Sequence, residues 1–150
     1  MIIYKNGLIT LDYNPATDVL HVELPNAMTF GLSELQRSLE IVAEHVQSYD
    51  IKRLLLDSSY VVVGGIDDEA YRHVVMVFVE NLAKTRLRKL ARLNSSVQPH
   101  EERVVQVSGA AAVLYNASFE IRMFSSKAEA HTWLLQQQDA VPATAGTTLP

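Results

Sequence analysis

Three serine pairs offer the side chains best placed to bind or react: Ser58-Ser59, Ser95-Ser96 and Ser125-Ser126. Each follows a short apolar run and precedes a stretch with helical features. In an α/β layout each would therefore stand where a strand ends and a helix begins. Ligands of parallel sheets collect outside the carboxyl ends of the strands, and helix N-termini offer free N–H groups to anions. One reading is thus a weak ligand or anion site where these loops converge. The plainer one is that the serines cap helices and hold turns. Neither requires catalysis.

The remaining reactive side chains are scattered. His21, His45, His73, His100 and His131 show no H-x-x-x-H or H-x-H spacing, so no metal centre is expected. A Ser-His-Asp set can be composed on paper from Ser58, His73 and Asp67, but there is no G-x-S-x-G elbow or glycine-rich oxyanion loop to support it. No G-x-x-x-x-G-K-[ST] or G-x-G-x-x-G occurs, which removes the usual nucleotide arguments. The absence of cysteine excludes thiol nucleophiles, disulfides and thiolate metal sites. The expectation is a protein without catalytic residues and without a cofactor.

With 150 residues, 48% hydrophobic and 20% charged, the chain has the composition of one ordinary globular domain with a sizeable core. Its formal net charge of −4 gives no electrostatic reason to expect nucleic acid as a partner. The basic cluster Lys84, Arg86, Arg88, Lys89 and Arg92 reads as a solvated face, and no interleaved aromatics support base stacking. The N-terminus lacks a signal-peptide pattern, and no apolar run approaches the roughly 20 residues of a membrane span. A soluble, cytoplasmic protein is the expectation.

The elements that would position these groups follow from pattern. Leu8 to Tyr13 and Val19 to Leu24 are β-rich runs separated by Asn14-Pro15-Ala16-Thr17-Asp18, a hairpin signal. Ser33 to Gln36 has capping-box form, and Leu35, Leu39, Val42 and Val46 make one apolar stripe of a helix ending near Ser48. Ile51 to Asp57 reads as a buried strand. A second helix should start near Asp67 or Asp68, its stripe formed by Tyr71, Val74, Val75, Phe78 and Leu82. Lys84 to Leu93 suggests a strand with an exposed start and a buried end. Residues 99–116 read as a helix, Phe119 to Phe124 as the last strand, and Ser126 to Glu129 as a second capping box opening a helix with Ala130, Trp133 and Leu134 on its apolar face. The order ββαβαβαβα predicts an α/β fold: a mixed, mostly parallel five-stranded sheet with packed helices.

Two features of that order suggest contact with something else. Val61, Val62, Val63 and Ile66, with Gly64 and Gly65 as hinges, are unusually apolar for a loop, and Met76 and Val77 fall off the apolar stripe of the second helix. Together they read either as internal packing or as an exposed patch, an interface or a lid over an apolar ligand.

The chain resembles the SpoIIAA-like, or STAS-like, group of small bacterial domains. The likeness rests on the element order, on the LLLD strand end followed by an apolar loop and helix, on RKLARL, and on the closing pattern from Phe124-Ser125-Ser126 through Glu129-Ala130 to Trp133-Leu134. It spans roughly residues 7–136. It implies a SpoIIAA-like domain over residues 1–137 in a group that works through binding, while residues 138–150, small, polar and proline-containing, read as a disordered tail. In the members that act as anti-sigma-factor antagonists, a serine in a D-S-[SG] turn is phosphorylated. Here Asp57-Ser58-Ser59 runs into Tyr60 to Ile66 instead of opening a helix, and Asp67, Asp68 and Glu69 would repel a phosphate. The expectation is a non-catalytic interaction or regulatory domain, a homodimer without the phosphoserine switch. The alternative is a protein binding a small apolar ligand or lipid beneath residues 61–66.

Overall fold

The computed structural model describes residues 1–24, 31–59, 68–93 and 119–136. Six strands form one mixed sheet whose spatial order is the chain order: β1 (Ile2–Lys5), β2 (Thr10–Asn14), β3 (Val19–Glu23), β4 (Arg53–Asp57), β5 (Lys89–Leu93) and β6 (Glu120–Phe124). The first three pair antiparallel, and β3 to β6 run parallel. The α/β class and the mostly parallel mixed sheet are as expected, but the five-strand count is corrected to six. The additional strand is β1, which hairpins onto β2. Asn6 closes that turn by accepting the N–H groups of Leu8 and Ile9 on its side-chain oxygen at 2.7 and 2.9 Å.

Three helices are described: α1 (Leu32–Ser48), α2 (Asp68–Ala83) and α3 (Lys127–Leu135). The β-branched run VVMVFV is helical, within α2. The helix expected over 99–116 and the tail from 138 lie outside the described residues. The four stripe residues of α1, Leu35, Leu39, Val42 and Val46, are all buried. Its start differs from expectation: the N-cap is Gly31, and the Ser33 hydroxyl donates to the neighbouring Glu34 carboxylate instead of capping the backbone. Its end is built with care. Asp50 takes a left-handed φ of 55°, its N–H donates to the Gln47 carbonyl, and the Ile51 N–H reaches back to that of Val46 at 3.0 Å. These are the two bonds of a Schellman motif, which satisfies the last carbonyls of the helix and turns the chain into the next strand.

Strand register sorts the side chains onto two faces. Leu20, Leu54 and Leu90 line up across β3, β4 and β5, as do Val22, Leu56 and Arg92. The apolar residues of these two rows meet α1 and α2 and form the main core. Both crossing helices cover the same face, as two crossovers of one hand moving in one direction across a sheet must. The opposite face carries Val19, Leu55, Ala91 and Leu93 under Ala130, Trp133 and Leu134 of α3. The central strands are therefore buried on both sides, which is why they read as nearly continuous apolar runs.

The basic cluster divides. Arg86 is largely exposed, with a side chain 79% accessible, whereas Lys89 and Arg92 on β5 are buried at 4% and 6%. The reading of the whole cluster as a solvated face is corrected for these two. Once α2 ends at Ala83 and β5 begins at Lys89, the pleat turns both long side chains toward packed surfaces.

Candidate functional site

The carboxyl end of β4 is where the sequence places its chemistry. The strand stops because Asp57 folds the chain over itself: its Oδ1 accepts the Ser59 N–H at 3.0 Å and the Ser59 hydroxyl at 2.6 Å. That local bond offers the backbone an alternative to the sheet ladder. Ser58 is turned inward, 1% exposed, and its hydroxyl donates to the Leu93 carbonyl of β5 at 2.7 Å. The side chain thus extends the β4–β5 pairing by one bond after the backbone has left the strand. Both hydroxyls serve the fold.

At the end of β6, Ser125 is exposed, and Ser126 is the N-cap of α3, its Oγ accepting the Glu129 N–H at 3.3 Å. The cap expected there is present. The two pairs stand on strands separated by β5, about 10 Å apart at normal strand spacing. Ser95 and Ser96 lie outside the described residues, as do Val61, Val62, Val63 and Ile66. Met76 is half-buried and packs against the main core, and Val77 is half-buried on the same helix.

Between the sheet and the two helices lies a cavity of about 60 Å³. Its walls include Leu35 and Leu39 of α1, Tyr71 and Phe78 of α2, and Leu56 and Leu90 of the sheet. Ser58, Arg92 and Tyr71, with its phenol, are the side chains with polar atoms among its described lining residues. One guanidinium nitrogen of Arg92 lies 3.8 Å from the Met123 sulfur. Small-molecule pockets usually measure roughly 300–1,000 Å³. At about one fifth of the lower bound, this space holds a few waters or a very small molecule.

The buried lysine of β5 is structural. The Lys89 ammonium donates to the carbonyls of Trp133 and Gln136, both at 2.8 Å, and sits 4.8 Å from the Trp133 ring centroid. A cation at a helix C-terminus is favoured by the helix dipole, and this one is also desolvated and bonded. Lys89 and Arg92 were not singled out as individuals from the sequence. The available signal was the period-two alternation in KLARL, which puts Arg92 on the face of Leu90 and Lys89 on that of Ala91. Among the described residues no group of three His, Asp or Glu side chains is placed to hold a metal ion, and no helix is long and apolar enough to cross a membrane. Comparison with protein-family models, with curated proteins and with solved structures gives no match.

Proposed function

We propose that the chain is a non-catalytic interaction or regulatory domain of the STAS-like kind, acting as a homodimer and without a phosphoserine switch. The observation that carries this reading is the use made of the serines at the end of β4. Ser58 is buried and bonded to the Leu93 carbonyl, and Ser59 is held by Asp57. A nucleophile or a kinase target needs an accessible hydroxyl, and at Ser58 that would require unpairing the end of the sheet. Recognition then falls to the surface, and the contact is formed by the flank of α2 bearing Val77, together with the apolar residues Val61, Val62, Val63 and Ile66. Light scattering on the full chain at tens of micromolar should give twice the chain mass, and Val77→Glu should halve it without loss of far-UV circular dichroism. A wild-type monomer would contradict the proposal.

One observation favours a second reading, a small apolar ligand. The cavity is lined by core residues of α1, α2 and the sheet, where such a ligand would sit. Its volume decides the weight given to it. A lipid would have to push α1 and α2 off the sheet and break their packing, so the ligand reading is confined to a molecule of a few heavy atoms.

A further inference from the structure

On the sheet face opposite α1 and α2, α3 packs on β4, β5 and β6. Beside it, over β2 and β3, runs a groove of about 510 Å³, which falls inside the usual range for small-molecule sites. Val19 and Leu55 contribute an apolar floor, Asp12 and His21 line it from β2 and β3, and Lys127 and His131 line it from α3. Lys127 and His131 are four residues apart on the helix and so share one side of it.

Two details separate this groove from an ordinary wet surface. His21 is half-buried, and its Nε2 is shut off from water with no hydrogen-bond partner among the described residues. Buried polar atoms of a purely structural histidine are normally bonded. Asp12, the acid of the groove, is already engaged, its Oδ1 taking the Met1 ammonium at 2.9 Å. Lys127 makes no ion pair among the described residues, so its charge is left for whatever enters.

We propose that this groove binds a small organic carboxylate, its alkyl part against Val19 and Leu55 and its oxygens held by Lys127 and His131, beside the His21 ring. Protonation is coupled to that binding. Burial holds the His21 imidazole below the ordinary histidine range, and Lys127 pushes the same way, while Asp57, Asp12 and Glu23 oppose them. The Met1 ammonium and His131 are the other titratable groups of the groove. An anion in the groove adds to the negative charges that favour the imidazolium, so binding takes up a proton and tightens as pH falls.

The test is a propionate titration of the full chain, followed through the histidine ring signals by NMR at about pH 7.5 and about pH 5.5, either side of the ordinary histidine pKa. The His21 and His131 signals should shift saturably, with affinity about fivefold or more tighter at the lower pH. Lys127 is exposed, so its replacement leaves the core intact. Lys127→Ala should weaken binding about tenfold, as expected for loss of a charge-assisted bond, and Lys127→Arg should largely retain it. Inorganic phosphate, which has no alkyl part, should bind more weakly than propionate. Shifts that never saturate, equal affinity in Lys127→Ala, or tighter binding of phosphate would each overturn the proposal.

Discussion

Ser58 shows how a residue that looks reactive in a sequence can be spent on structure. Its hydroxyl is the bond between the end of β4 and the Leu93 carbonyl, and Ser58→Ala leaves that acceptor unmet in a buried place. The expected loss is about 1–2 kcal/mol in urea unfolding. Ser59→Ala should cost less, because Ser59 is only half-buried. Tyr13 carries a different kind of signal. Its hydroxyl donates to Asp18 at 2.7 Å. Burial first, then that bond and the negative charges of Asp18 and Asp50, push the phenol up from 10.0 to about 12. The folded state therefore holds this proton more tightly than the unfolded chain. The resulting stability is full below about pH 10 and is lost as pH rises through about pH 12. One of the six tyrosines should ionise late in an ultraviolet titration, and Tyr13→Phe should remove that late step together with part of the alkaline loss of stability.

The helices and strands were legible where periodicity was strong. Leu35, Leu39, Val42 and Val46 gave α1 within two residues at its start, and helical flanks on both sides identified α2 despite its β-branched centre. What was missed was short or depended on partners. β1 has four residues and an outward-facing end, Ile2 being 57% exposed, so it lacks the apolar alternation that marks a strand, yet the Asn6-Gly7 dipeptide before LIT was a hairpin signal. The Ser33 cap failed because the chain enters the helix two residues earlier, through Gly31. α3 is the element most open to test, since it has nine residues and little intrinsic stability at that length. Ser126→Ala removes its N-cap and should cost about 1 kcal/mol. Lys89→Ala removes the buried cation from its other end and should cost more, about 3 kcal/mol, since it strands two carbonyls. Lys89→Met keeps the stem against Trp133 and should recover part of that loss. Equal effects of all three substitutions in urea unfolding would contradict the role given to Lys89.

Taken together, the α/β layout and both packed faces could be read from pattern, because burial on two sides imprints itself on every parallel strand. The polar groups could not, because what they do depends on which strands lie side by side. Nothing local in the sequence says that Ser58 meets Leu93, or that His21 of β3 and Lys127 of α3 line one groove. The cavity follows the same rule: its walls come from α1, α2 and three strands, and only its volume of about 60 Å³ argues against a lipid. The proposal that this domain acts by contact, and neither by reaction nor by enclosing a large ligand, is open to one experiment that reads both alternatives together. Native mass spectrometry of the freshly purified full chain should show a dimer at twice the chain mass with no apolar molecule carried on either subunit. A monomer carrying a co-purified apolar molecule would contradict that account in favour of the apolar cavity, and a bare monomer would contradict both readings.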